Sequence, residues 1–364
     1  MIMSEYSLDE LCEILDSKRV PLSAMQRAKR HGPYPYYGAQ SVIDHIDDYL
    51  LDGEYLLVAE DGANLVTRTQ DIANLVNGKI WVNNHAHILG YNGKCPLRLL
   101  GFLLNHSNIS PYVTGCAQPK LNQDNLRRIK ISLPEKVDEV NSILSSLDSK
   151  IENNRKICAN LEAQAQALFK HWFIDFAPFK DGKFVESELG MIPEGWRVGT
   201  LGEIAEVSSG KRPLERFDTE TEEHNVPLIG ASCVMGYTNE AFMSTKILLT
   251  GRVGTLGVIQ RFNNACWPSD NTLVLTTQFY EFVYQTLKTL NYSGMNRGTS
   301  QPLITQGDLK KTSIIIPPNE VINEFEDTSS KLMSILEQNN KESKILSFLR
   351  DTLLPKLMSG AIKV

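Results

Sequence analysis

The chain has 364 residues, of which 42% are hydrophobic and 22% are charged, and its formal net charge is −6. These values are typical of a soluble globular protein with room for about two domains. The acidic balance argues against a free-standing DNA-binding protein. The sequence also lacks an apolar run that could span a membrane and a secretory signal at its start.

The six cysteines are scattered, and no two of them form a Cys-x-x-Cys pair. This distribution indicates reduced thiols rather than a disulfide framework, so we expect a cytoplasmic protein. Charges are also spread evenly: residues 1–134 carry 13 basic and 14 acidic side chains, and residues 181–318 carry 12 and 15. If the protein binds DNA, a local patch or partner proteins must supply much of the attraction to phosphate.

The first predicted element is a mixed α/β head over residues 1–134. Short apolar runs bounded by Gly, Pro, Asn and Asp predict strands through its middle, and helices are expected at its start and end. A basic turn, Lys18-Arg19, lies near the beginning of this head. The segment Gly-Cys-Ala-Gln-Pro, at residues 115–119, lies near its end.

A different period begins after Pro134, where seam residues recur at alternating steps of four and three. This spacing predicts a coiled-coil helix over residues 135–180, about 60 Å long at ~1.5 Å per residue. The alternative is an amphipathic helix that packs only on its own head. The predicted seam contains Leu147, Ile151, Asn154, Cys158, Leu161, Ala165, Leu168 and Trp172.

The second half of the chain repeats the first. A linker and a second head cover residues 181–318, and a second spacer helix is predicted over residues 319–364. Gly-Thr-Ser-Gln-Pro, at residues 298–302, corresponds to residues 115–119, and Lys211-Arg212 is expected to correspond to Lys18-Arg19. The separation is half the chain, which indicates a duplicated two-part unit rather than a solenoid. The second seam contains Leu332, Leu336, Asn339, Ser343, Leu346, Leu353 and Leu357, interrupted by Arg350.

In this order of head, helix, head and helix, the chain resembles the DNA-specificity subunit of Type I restriction–modification systems. The resemblance is strongest at residues 163–176, where the first helix closes. It continues through Ile-Pro-Glu-Gly-Trp at residues 192–196 and through both Gly-x-x-Gln-Pro segments. It implies an α/β (α+β) fold, with two pseudo-symmetric strand-containing target-recognition domains joined by two long antiparallel coiled-coil helices.

The resemblance also implies a function. Each head would read one half of a split, asymmetric target in double-stranded DNA, and the helices would fix the spacing between the halves. The chain itself would be noncatalytic. Two modification subunits would bring S-adenosylmethionine and methylate adenine, and a separate motor-nuclease subunit would complete the restriction enzyme. The alternatives are a standalone bipartite DNA-binding regulator and a DNA-modifying enzyme with its own active site.

The motifs that are missing support a noncatalytic role. Each Gly-Lys pair is followed by Ile, Cys, Phe or Arg, so none opens a phosphate-binding P-loop, and no methyltransferase motif is present. We expect no catalytic residue and no cofactor. His85, His87 and the nearby Cys95 could bind a metal, but no fourth ligand is evident. Polar contacts within the head or to DNA are therefore favoured over a metal site.

Basic and amide side chains in the loops of the heads are the candidate DNA contacts, because Arg can bind guanine with two hydrogen bonds and Lys neutralises phosphate. A solvated turn is the alternative for the two Lys-Arg pairs. The first head has Glu60 near the position of Arg252, so we predict that the heads read different bases. Both heads carry a glutamine in the repeated Gly-x-x-Gln-Pro segment, Gln118 in the first and Gln301 in the second. A residue that is the same in two heads of different specificity cannot choose the sequence, which favours structural support or a phosphate contact. The candidates are Lys18, Arg19, Lys120, Lys211, Arg212, Arg252, Arg297 and Gln301.

An aromatic cluster closes the first spacer helix at His171, Trp172, Phe173 and Phe176. Two interpretations remain open from the sequence. The cluster either packs the end of the helix on a head or forms a docking surface for a modification subunit.

Overall fold

The computed structural model describes residues 3–115, 117–298, 301–358 and 361–362. Three positions of the repeated Gly-x-x-Gln-Pro segments, Cys116, Thr299 and Ser300, lie outside the described residues. The chain divides into two compact units, residues 1–154 with 341–364, and residues 155–340. Within the described residues, no helix has the length and apolar character needed to cross a membrane.

The first unit is built on a six-stranded sheet with the order β2-β7-β5-β6-β3-β4, in which only β3 and β6 run parallel. A separate antiparallel pair, β1 with β8, joins the start of the head to its end. The strands are β1 (Met3–Ser7), β2 (Cys12–Ile14), β3 (His31–Tyr37), β4 (Val42–Ile46), β5 (Leu51–Ala59), β6 (Ala73–Val82), β7 (Ala86–Tyr91) and β8 (Lys130–Pro134). The helices are α1 (Leu8–Leu11), α2 (Ala24–Arg27), α3 (Asn64–Thr67), α4 (Leu97–His106), α5 (Gln123–Arg128) and the first part of α6 (Val137–Phe173).

The central strands of this sheet are buried on both faces, because successive side chains of a strand point to opposite sides. Leu56 and Val58 of β5 pack into the larger core cluster with the helix residue Leu100. Between them, Leu57 faces a second cluster that contains Ile88. The two-residue period of β5 therefore joins the helical layer on one side of the sheet to the smaller core on the other.

The second unit repeats this topology with shorter strands. One sheet has the order β12-β18-β15-β16, and another has the order β14-β13-β17, with β13 and β17 parallel. The strands are β9 (Phe184–Ser187), β10 (Gly190–Pro193), β11 (Arg197–Thr200), β12 (Glu206–Ser209), β13 (Val226–Ile229), β14 (Val234–Thr238), β15 (Ile247–Gly251), β16 (Ile259–Phe262), β17 (Trp267–Pro268), β18 (Thr272–Thr276) and β19 (Ser313–Ile316). The helices are α7 (Tyr280–Thr289), α8 (Tyr292–Met295), α9 (Gln306–Lys310) and α10 (Asn319–Met358), whose last part belongs to the first unit.

The duplication predicted from sequence is confirmed strand by strand. The pair β11–β19 repeats β1–β8, and β15 pairs with β18 as β5 pairs with β7. The long strand β6 corresponds to two shorter strands, β16 and β17, which pair separately with β15 and β13. Each head is therefore the mixed α/β, strand-rich domain that the sequence predicted.

The long helices α6 and α10 pack antiparallel in each unit. In the first unit, Arg350 donates to Asp148 at 2.8 Å, and Glu342 lies 3.2 Å from Lys150. In the second unit, the ring of Phe173 lies 5.1 Å from that of Phe325. Later residues of α6 thus contact earlier residues of α10, which is the antiparallel arrangement that the resemblance implied, and the alternative of helices that pack only on their own heads is wrong.

A polar residue interrupts the seam of the first unit. Asn154 is fully buried, and its Nδ2 donates to the Glu342 carboxylate at 2.7 Å. Its Oδ1 has no hydrogen-bond partner among the described residues. The second predicted seam residue of this type, Asn339, donates to the carbonyl of Ile335 in its own helix. Asn154 therefore donates to a carboxylate that is 45% exposed, rather than to the second asparagine.

Candidate nucleic-acid interface

Two tryptophans reveal how the loops of the two heads correspond. Trp81 Nε1 donates to the Val20 carbonyl, and Trp267 Nε1 donates to the Lys211 carbonyl, each at 2.7 Å. The backbone amides of Val20 and Lys211 in turn donate to the carbonyls at positions 82 and 268. Val20 and Lys211 thus occupy the same place in the fold.

This correspondence corrects the expectation that Lys18-Arg19 and Lys211-Arg212 occupy matching turns. Asp16 and Ser209 are also equivalent, since each accepts a hydrogen bond from the glutamine that begins a short helix, Gln123 or Gln306. Between these fixed points the first head has residues 17–19, and the second has only Gly210. The two Lys-Arg pairs therefore occupy different positions in the fold.

Gly210 can form this shorter connection because it has no side chain. A Cβ atom there would lie 2.1 Å from the Ser269 carbonyl oxygen, which is closer than any real contact. The first head instead makes a 3₁₀ turn at Asp16–Lys18, which leaves Lys18 exposed. The difference of two residues could not be read from the Lys-Arg motif alone.

A second pair of equivalent positions carries opposite charges. The amide of Glu60 donates to the His85 carbonyl, and the Glu60 carbonyl accepts from Leu121. Arg252 makes the same two backbone hydrogen bonds, with Asn271 and Ile304. Glu60 therefore stands where the second head has Arg252, as the sequence indicated.

In the first head, Glu60 lies at the centre of a charged cluster. Arg19 donates to its carboxylate at 2.5 Å, and the Lys120 ammonium lies 3.1 Å away. Burial raises the pKa of the Glu60 carboxyl group, but the hydrogen bonds from these two cations outweigh burial and hold that pKa below its usual value. Glu60 is thus a carboxylate that orients two of the predicted DNA contacts.

Arg19 is held almost entirely within the head. Besides Glu60, its guanidinium lies 3.3 Å from Asp16 and donates to the Ala86 carbonyl at 3.0 Å. These partners occupy several of its five N–H groups, so a base or phosphate would have to compete with them. Lys18 and Lys120, which are exposed, are physically better placed for phosphate contacts than Arg19.

The predicted contacts of the second head differ in how freely they can reach a ligand. Arg212 is exposed, whereas the ammonium of Lys211 lies 4.7 Å from the centre of the Phe242 ring. Arg252 is half-buried in its Gly-bounded loop. Arg297 is exposed but forms an ion pair with Asp308. Gln301, like Gln118 of the first head, is exposed.

The histidines considered as metal ligands make hydrogen bonds inside the first head. His87 is fully buried, and its two ring nitrogens lie 2.6 Å from Asp16 and 2.7 Å from the Leu121 carbonyl. His85 contacts Asp61 at 2.6 Å. No group of three or more His, Cys, Asp or Glu side chains in the described part of the chain could hold a metal ion.

The aromatic cluster at the end of α6 packs into the core of the second unit. Phe173 is buried against Phe282 and Phe325, and Trp172 contacts Phe325 and Phe179. The interpretation as helix packing therefore accounts for these rings. His171 is exposed beside them.

One basic surface was missed from sequence. Residues 17–30, the first connection, lead from β2 to β3 and contain five Lys and Arg side chains without a single Asp or Glu. Residues 210–225, the second connection, lead from β12 to β13 and contain three basic and five acidic side chains. Charge totals over whole heads hide this contrast, whereas a count over each connection finds it.

Comparison with known proteins supports the resemblance read from the sequence. The family described as "Type I restriction modification DNA specificity domain" matches residues 3–163 and 193–347. The chain is 30% identical over 302 residues to the Type I restriction enzyme MjaIX specificity subunit of Methanocaldococcus jannaschii, covering 73% of this chain and 69% of that protein. It is 27% identical over 342 residues to a putative type I restriction enzyme specificity subunit of Haemophilus influenzae, covering 85% and 82%.

The fold also matches a solved structure. The Type-I restriction-modification system S subunit from M. genitalium aligns over 98% of this chain and 96% of its own chain, with a TM-score of 0.62 and 16% identity. At this identity the likeness supports the fold.

Proposed function

Because this chain belongs to the Type I restriction–modification DNA-specificity family, in which it is a noncatalytic specificity subunit, we propose that its two heads read the two halves of a split, asymmetric DNA target. The observation that carries this proposal is the pair Glu60 and Arg252. Both make the same backbone hydrogen bonds, yet they offer opposite charges. Two heads with one backbone frame and different loop chemistry suit the reading of two different sequences.

The chemistry of target modification belongs to partners in this proposal. Two modification subunits bind S-adenosylmethionine and methylate adenine, and restriction subunits, where a system has them, cleave DNA. The specificity subunit selects the target for both activities. This assignment agrees with the absence of methyltransferase and P-loop motifs from the sequence. Because the scattered cysteines favour reduced thiols, we propose that the protein acts in the cytoplasm.

The net charge of −6 favours this division of labour over a standalone DNA-binding regulator. A regulator would have to attract phosphate by itself, and many of the basic groups described above are already engaged. Arg19 is paired with Glu60 and Asp16, and Arg297 is paired with Asp308. Partner subunits that enclose the DNA would add the missing attraction.

The test is to map methylated adenines in cells with the intact chain, without it, and with residues 196–317 replaced by another head of this family. We expect methylation at one bipartite target, loss of that methylation without the chain, and a change in only one half of the target after replacement. A change in both halves would contradict separate reading by the two heads.

The purified chain provides a second readout. Incubated alone with labelled S-adenosylmethionine and DNA, it should transfer no methyl group, and transfer should appear when the modification subunits are added. Robust transfer by the chain alone would refute the noncatalytic role.

A further inference from the structure

Each head presents one large, highly exposed apolar side chain in the connection between equivalent strands. In the first connection, 74% of Met25 is exposed, and in the second connection 93% of Leu214 is exposed. Among the described residues of each head, no other large hydrophobic side chain is as exposed. Side chains as exposed as these contribute little to a hydrophobic core, and one occurs in each of the two equivalent connections.

The structure holds Met25 in a defined position. It lies on α2, whose first turn is capped by hydrogen bonds exchanged between Ser23 and Gln26. Arg27 ties the helix to the head by donating to Asp44 at 3.0 Å and to the Leu22 carbonyl at 2.7 Å. The exposed thioether is therefore carried by an anchored turn.

Leu214 lies between two anchored points of the second connection. On one side, the Lys211 amide donates to the Pro268 carbonyl at 2.9 Å. On the other, the backbones of Phe217 and Tyr237 exchange hydrogen bonds of 2.9 and 2.8 Å. Only five residues separate Lys211 from Phe217, which limits how far the loop can move.

The charged residues near these two side chains indicate which kind of ligand they contact. Lys18 and Lys29 are exposed in the first connection and lie in no ion pair among the described residues. In the second connection, Arg212 is exposed two residues before Leu214, and exposed Glu215 and Arg216 follow it. Cations of this kind contact phosphates, and an exposed apolar side chain in the same connection can reach a thymine methyl group or a base step.

We propose that Met25 and Leu214 are specificity-determining residues, and that each contacts base edges of the half-site read by its own head. This inference rests on the proposed function and adds to it the element of each head that reads DNA. The two side chains differ in shape and lie in equivalent connections. A difference of this kind changes the preferred base without changing the fold.

The experiment uses the complex with the modification subunits and duplexes that carry the target found by methylation mapping. In two further duplexes, one half-site or the other is scrambled. For the wild type and for Met25→Ala, Leu214→Ala and Met191→Ala, the penalty for each scrambled half is the ratio of dissociation constants. Met191 is the matched control, because it is an exposed methionine of β10 outside both connections.

We expect Met25→Ala to reduce the penalty at one half-site by at least about fourfold, the contribution of one buried methyl group, and Leu214→Ala to reduce it at the other half-site. Met191→Ala should leave both penalties unchanged. In the half-site affected, replacing each thymine by uracil identifies a contact to a methyl group, because the variant and the lost methyl then have non-additive effects.

Two results would overturn the inference: unchanged penalties in both variants, or reductions by both variants at the same half-site. Because both side chains are exposed, circular dichroism of the variants should match that of the wild type. If the wild-type complex shows no penalty for scrambling either half, the proposed function itself fails. A penalty in the wild type that neither variant alters refutes only the roles of Met25 and Leu214.

Discussion

Replacing Lys18 and Lys29 together by glutamine tests whether the first connection attracts the DNA backbone. Both side chains are exposed and lie in no ion pair among the described residues, so the change removes two charges without breaking an internal contact. The other cations of this connection are less free. Arg27 is paired with Asp44, and Arg30 is paired with Asp47.

The expected magnitude follows from counterion release. Each phosphate neutralised on B-DNA contributes about −0.9 to the slope of log K against log salt concentration, so loss of two contacts should make the slope shallower by roughly 1.8. Between 50 and 200 mM salt, a fourfold change, the advantage of the wild type over the variant should shrink by about 12-fold.

The assay is fluorescence anisotropy of the complex on a duplex without the target, at four or more salt concentrations. The matched control is Lys94→Gln with Lys183→Gln, which removes two exposed lysines outside both connections and should leave the slope unchanged. The opposite sign is expected when Glu220, Glu222 and Glu223 of the second connection become glutamine, because three exposed repulsive charges disappear and binding tightens.

An unchanged slope in the lysine variant would refute the assignment of phosphate contacts to the first connection. Equal reductions in that variant and in the control would refute it as well, since the effect would then reflect net charge rather than a local surface.

Three further predictions concern the helices and the buried charges. Arg261→Met should lower the free energy of unfolding of the second unit by about 3–5 kcal/mol, because Glu281, only 1% exposed, would lose its bidentate partner. The control Arg216→Met breaks an exposed ion pair and should cost no more than about 0.5 kcal/mol. Both changes are measured by urea titration followed by tryptophan fluorescence. Asn154→Leu should raise the stability of the first unit by about 1 kcal/mol, because it removes a buried oxygen without a partner, while the Glu342 carboxylate that loses its hydrogen bond is 45% exposed and keeps Lys150 at 3.2 Å. A loss of stability on thermal unfolding would contradict this. Four residues inserted before Ala163 add about 6 Å and approximately one helical turn. The spacer between half-sites in the methylation map should therefore lengthen by about one or two base pairs. An unchanged spacer with retained activity would show that the helices do not set the spacer length.

The architecture could be predicted from sequence because its signals are periodic or repeated. The seam through Ile151, Leu161 and Ala165 can be predicted from the 3.5-residue period of a coiled coil alone. These residues are buried in the helix Val137–Phe173. The tryptophans of the two heads, Trp81 and Trp267, occupy equivalent places in the duplicated fold. Such signals survive because packing constrains every copy in the same way.

The correspondence of the loops could not be predicted, because two segments with the same residue types need not occupy the same position in the fold. The Lys-Arg pairs look equivalent, yet the first head has residues 17–19 where the second has Gly210 alone. The carboxylates that hold Arg19 come from positions 3 and 41 residues away in sequence. No local pattern around Arg19 shows that Glu60 lies beside it.

The backbone contacts of the heads explain how the loops can vary while the fold stays the same. Trp81 and Trp267 donate to the main-chain carbonyls of Val20 and Lys211, and any residue supplies a carbonyl. Glu60 and Arg252 likewise take the same place through their amides and carbonyls, which leaves their side chains free to differ. Because the frame is held by main-chain hydrogen bonds, a change of side chain in a connection alters what the head can contact without a large cost to folding. Recognition of a new half-site then requires only new side chains on an unchanged frame.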